Sequence, residues 1–119
     1  MQPKRYALTQ LGEQQKAPQV YFRRDANCPV LSHVRQRNAE TRIAVPSWMV
    51  NISEDGCLMT SDHYPSMAED VYIIIPGLGA KVFGTVSNQG EYTLNVKFTT
   101  KVTAEVVNWV ARMKTPPKS

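Results

Sequence analysis

Asn51, Ser53 and Gly56 lie in the stretch NISEDGCLM, between the apolar runs Trp48-Met49-Val50 and Cys57-Leu58-Met59. An asparagine side chain can close an Asx turn, a serine hydroxyl can do the same, and a glycine can take positive φ where the next strand begins. That is sufficient as turn chemistry. The question is whether the turn also holds a ligand. Covalent chemistry is harder to build from this chain. His33 and His63, its two histidines, have no Ser or Cys at the spacing of a nucleophile motif, and no GxxxxGK[ST] phosphate loop occurs. Cys28, His33, Cys57 and His63 could by type supply four zinc ligands, but their gaps do not match the close paired spacings of zinc modules. They read as buried thiols and ordinary histidines, so neither a metal site nor an enzyme is expected.

These residues must be positioned by short elements. PVLSHVRQ, SWMVNIS, GCLMTS, VYIIIP, AKVFGTVS and EYTLNVKF are β-branched and aromatic runs separated by Gly, Pro, Asn or Ser. In the last, Tyr92, Leu94, Val96 and Phe98 alternate with Thr93, Asn95, Lys97 and Thr99, which predicts one buried face and one wet face. PGLGAKVFG joins two of the runs instead of opening a helix, so its glycines read as a hairpin. The period then changes. Val102, Val106, Trp109, Val110 and Met113 form a helical stripe, with Thr100 or Thr103 placed to cap its start, Arg112 and Lys114 near its end, and Pro116 and Pro117 to stop it. The pattern predicts a mainly β fold: a small six-stranded antiparallel barrel from about Pro29 to Phe98. A C-terminal helix from about Thr103 to Met113 would cover one opening through Val106, Trp109 and Val110.

With 119 residues the chain suits one domain, and no apolar run approaches the length of a membrane span. The opening MQPKRYALTQLGEQQ lacks the apolar stretch of a secretory signal, so the expectation is a cytoplasmic protein without membrane insertion. Two cysteines are too few for a disulfide framework. The charge is uneven. Lys4, Arg5, Lys16, Arg23, Arg24, Arg35, Arg37 and Arg42 face only Glu13, Asp25 and Glu40, so the whole +4 excess lies in the first third. That bias suits an anionic partner. Residues 1–20, rich in Gln, Lys and Pro, read as a flexible basic arm, 21–113 as the barrel domain, and 114–119 as a tail. Tyr92 and Phe98 share a phase with Leu94 and Val96 and so read as core; no DNA or RNA partner is expected.

The context of NISEDG adds to its turn chemistry. A [DN]xSxxG pattern between two strands, preceded by the arginine-bearing RRDANCPVL and followed by further strands and a helix, resembles the PilZ family over roughly Tyr21 to Met113. PilZ domains are small β-barrels, many of them receptors for the bacterial second messenger cyclic di-GMP. The resemblance therefore implies a non-enzymatic signalling module that binds this nucleotide and acts on a protein partner. Such a ligand calls for guanidinium forks on phosphate or guanine, a small hydroxyl, an amide, and a glycine at the closest backbone approach.

Carried over by position, Arg24 is the first arginine of the family's RxxxR, Arg23 a helper, and Asn51, Ser53 and Gly56 the second motif. The second arginine falls on Cys28, which cannot make a bidentate contact. Losing one such contact is worth on the order of 1.5 to 3 kcal/mol. The implied receptor is thus weakened, and Cys28→Arg is expected to restore affinity. Cys28 and Cys57 would also lie on neighbouring elements if the two motifs meet. The alternative is a degenerate PilZ-like adaptor that recognises another protein without nucleotide.

Overall fold

The computed structural model describes residues 21–113. The proposed arm, the tail and the stop at Pro116-Pro117 lie outside the described residues. The elements run β1 (Arg24–Gln36), β2 (Ile43–Ser53), β3 (Gly56–Thr60), β4 (Ala68–Ile74), β5 (Lys81–Gln89), β6 (Thr93–Phe98) and α1 (Ala104–Arg112). The six strands close into an antiparallel barrel in the order β1-β2-β3-β6-β5-β4, with β1 and β4 completing the ring. Closure leaves no unpaired sheet edge.

Period-two alternation places the core inside the barrel. Cys28, Val30 and Val34 from β1, Met49 and Ile52 from β2, Met59 from β3, Ile73 from β4 and Leu94 and Val96 from β6 are buried together. β1 begins earlier than the apolar pattern indicates, at Arg24, because Arg24 and Asp25 already pair with Ile52 and Asn51 across a register shift before Cys28. Tyr92 corrects the reading of the last strand. It precedes β6 and is 54% exposed, while Leu94, Val96 and Phe98 are buried as their alternation predicts. The interior also holds polar groups. The Tyr64 hydroxyl donates to Ser47 Oγ at 2.8 Å, Ser32 donates to the same oxygen at 3.0 Å, and Ser47 donates to the Val45 carbonyl at 3.1 Å. Linked in this way, the buried hydroxyls avoid the cost of going unpaired.

Thr103 caps α1 by accepting the Val106 N–H at 3.2 Å, and Glu105 and Arg112 sit at the ends that suit their charges. Its buried residues are Val107 and Val110. The expected stripe is therefore rotated: Val106 is half-buried, and Trp109 lies at the rim, 37% exposed. Trp109 has a reason to be there. Its ring atoms lie 3.0 Å from where a Cβ would project at Gly77, whose φ is +83° in the β4–β5 turn. That glycine both makes the turn and leaves room for the indole.

Candidate functional site

The turn between β2 and β3 is a two-residue loop closed by the Ser53–Gly56 pair. Ser53 Oγ donates to Asp55 Oδ1 at 2.7 Å and accepts the Asp55 N–H at 3.3 Å, so the expected serine turn is present. The loop carbonyls are also engaged. Asp55 O accepts the Phe98 N–H at 2.8 Å and Glu54 O accepts the Val102 N–H at 2.9 Å, which ties the end of β6 and the approach to α1 onto the turn.

Asn51 and Gly56 differ from the turn reading. Asn51 sits in a ladder irregularity of β2, and its Oδ1 accepts from Arg23 Nη1 at 2.6 Å. Gly56 is absent from the positive-φ positions; its requirement is space. A Cβ there would lie 2.5 Å from the Val96 carbonyl oxygen of β6 and 3.3 Å from Arg23 Nη2. Only glycine allows β3 to approach β6 this closely with a guanidinium laid over the junction. Arg23 also reaches Asn95 Oδ1 of β6 at 3.5 Å.

Arg23, Asn51 and Gly56 thus converge on one outer wall. Arg24 does not join them: its Nη1 donates to Asn108 Oδ1 of α1, on the helix side. The positional carry-over made Arg24 the principal arginine and Arg23 the helper, whereas the geometry puts Arg23 at the motif. Ser53 is fully buried, with its hydroxyl committed to the turn.

Cys28 requires a correction. The side chain points into the barrel, is fully buried, and lies with Sγ 3.3 Å from Met113 Sδ. Position 28 is a core position, so an arginine there would be driven into the interior instead of completing a surface fork. Cys57 is also buried, on β3, and β2 separates β3 from β1. The two thiols are therefore not on adjacent strands. Burial raises the Cys28 pKa and pushes that of Cys57 up to about 12 against the opposing charge of Arg23, so neither is a reactive thiolate at neutral pH.

The wall gains residues that motif spacing did not single out. β3–β6 register pairs Gly56 with Lys97 and Leu58 with Asn95. A cleft of about 300 Å³ beside them is lined by Tyr21, Asp55, Lys97 and Lys101, and Lys101 Nζ stands 5.6 Å from the centre of the Tyr21 ring. The alternation of β6 already assigned Asn95 and Lys97 to the wet face. Only the strand order brings that face beside the turn.

Fold and site define a small closed antiparallel β-barrel, capped by one helix, with guanidinium, ammonium, amide and aromatic groups gathered on one outer wall. No protein-family model, curated protein or solved structure matches the chain.

Proposed function

We propose that this chain is a non-enzymatic, PilZ-like signalling module that binds cyclic di-GMP on the Arg23–Asn51–Gly56 wall and passes the bound state to a protein partner. The observation carrying this reading is the Arg23 guanidinium lying across Asn51 and Gly56, groups far apart in sequence that the implied ligand would need together. An exposed guanidinium keeps further N–H donors for a phosphate or for the O6/N7 edge of guanine. Lys97 and Lys101 add long-range attraction, and Tyr21 offers a stacking plane. Ser53 serves by holding the turn in shape, and Arg24 by joining β1 to α1, which gives the ligand wall a mechanical link to the helix.

Titration calorimetry with cyclic di-GMP tests the reading. Saturable binding is expected, and Arg23→Ala should weaken it roughly tenfold or more, the worth of one charge-assisted contact. Arg37→Ala, an exposed charge just past the far end of β1 from Arg23, should leave it unchanged. The adaptor reading has its own support, because Ser53, Gly56 and position 28 are all buried, Gly56 beneath Arg23, which leaves Arg23 and Asn51 as the wall's side chains within a ligand's reach. A folded protein that gives no binding heat at millimolar nucleotide establishes that reading instead.

A further inference from the structure

The barrel carries a second recess, where the β4–β5 hairpin faces the start of α1. β5 outruns β6 there: their ladder ends at Gly84–Phe98, and Lys81 to Phe83 continue past it. The chain leaving β6 bends away. The Thr99 N–H still donates to the Phe83 carbonyl at 2.8 Å, but the Val102 N–H donates to the Glu54 carbonyl at 2.9 Å, which carries residues 100–102 across to the motif turn. Between the two paths lies an open groove of about 460 Å³, formed by Leu78 and Phe83 of the hairpin and by Val102 and Val106 at the helix start. Phe83 is 50% exposed and the three aliphatic side chains are half-buried, so apolar surface stands open to solvent. Trp109, seated at Gly77, braces the hairpin turn on α1, and the groove is shaped before anything enters it.

The charge of the groove is one-sided. Among the described residues Lys81 and Lys101 line it and no carboxylate does. Neither ammonium makes an ion pair among those residues. Each stands near a ring instead, Lys81 Nζ 4.5 Å from the centre of Tyr72 and Lys101 Nζ 5.6 Å from that of Tyr21. Such contacts hold the two charges in place without neutralising them.

We propose that this groove is the docking site for the protein partner, and that the partner presents an extended acidic segment carrying bulky apolar side chains. The apolar side chains enter between Phe83 and Val106, and flanking carboxylates meet Lys81 and Lys101, which supply the complementary charge. An extended backbone suits the place because it can run beside the overhanging residues of β5. A lipid surface suits it less, since the apolar atoms line a recess between two elements and do not project from a tip. The inference rests on the protein partner of the proposed function and names its chemistry. Thr99 and Lys101 also line the cleft beside the nucleotide wall, so the two sites adjoin. Docking is tested without nucleotide, so its failure leaves nucleotide binding standing, and a chain without nucleotide affinity can still dock the segment.

The probe is a fluorescein-labelled Glu-Glu-Phe-Leu-Glu-Glu peptide, followed by anisotropy as the full chain is added, with unchanged melting required of each variant. Saturation below millimolar protein is expected. Phe83→Ala should weaken binding roughly tenfold, as for a central aromatic anchor, and Lys81→Ala roughly threefold, as for loss of an exposed ion pair. Arg37→Ala removes the same charge from the opposite end of the barrel, next to the Gln36–Ala68 pair, and should change nothing. Putting alanines for the Phe-Leu of the probe, or lysines for its glutamates, should abolish saturation. A parent chain that shows no saturation overturns the proposal, as does equal weakening by Arg37→Ala and Lys81→Ala. Binding to phosphatidylglycerol vesicles that Phe83→Ala and Lys81→Ala weaken to the same degree also overturns it, and marks the face as a membrane contact.

Discussion

At the scale of single residues, side-chain direction decides the roles. Cys28 is the sharpest case, since the PilZ resemblance would make it a ligand position and the barrel makes it core. Cys28→Arg should therefore destabilise the fold by about 3 kcal/mol or more, because an unpaired guanidinium would be buried among apolar groups. Urea unfolding measures this; an unchanged midpoint together with tighter nucleotide binding would restore the surface-fork reading. Tyr64 governs a different property. Burial raises its pKa to about 12, partly offset by its hydrogen bond to Ser47, against an ordinary value of 10. A raised folded-state pKa means that this stabilisation is whole below pH 10 and is lost as pH climbs towards 12. Tyr64→Phe should flatten the fall in urea midpoint between those limits. If the variant and the parent lose stability in parallel, Tyr64 is not the group responsible.

At the scale of elements, α1 is too short to persist alone, and its stability comes from its cap and from what it packs on. The Glu54 carbonyl receives the Val102 N–H just before the cap at Thr103, so the motif turn and the helix start share one hydrogen-bonded junction. Thr103→Ala should cost about 1 kcal/mol. The loss should concentrate in α1: amide exchange should quicken for Val107 to Met113 while β2 and β3 keep their protection. Uniform acceleration across the barrel would show that the helix is not a separately loosened unit.

At the scale of the whole molecule, ring closure dominates. β1 must find both β2, its neighbour in sequence, and β4, pairing Leu31 with Ile74 across two intervening strands. The Arg35 guanidinium on Asp70 Oδ2, at 2.9 Å from Nε, and Arg42 on Asp70 Oδ1, at 2.8 Å, secure this closing seam. Non-local pairing of this kind slows folding, so stopped-flow refolding should take milliseconds to seconds at 25 °C. Microsecond refolding would mean that local hairpins, not closure, limit the rate. Among the described residues no helix is long and apolar enough to cross a membrane.

The sequence by itself determined the elements: six β-branched runs, the glycine hairpin, the capped helix and the inward phase of Leu94, Val96 and Phe98. Those follow from period, propensity and turn chemistry, which act over a few neighbouring residues. It also marked Asn51 and Gly56, while the positional carry-over ranked Arg24 above Arg23. Tertiary structure alone decided which arginine meets the motif. Arg23, just ahead of β1, falls on the β2–β3–β6 wall, whereas Arg24 reaches Asn108 on the helix. It likewise turned Cys28 inward, rotated the helical stripe onto Val107 and Val110, and exposed Tyr92. The reason is physical. Alternation fixes which residues share a face, but which face is inside, and what lies across from it, depends on strand partners that only a closed barrel supplies.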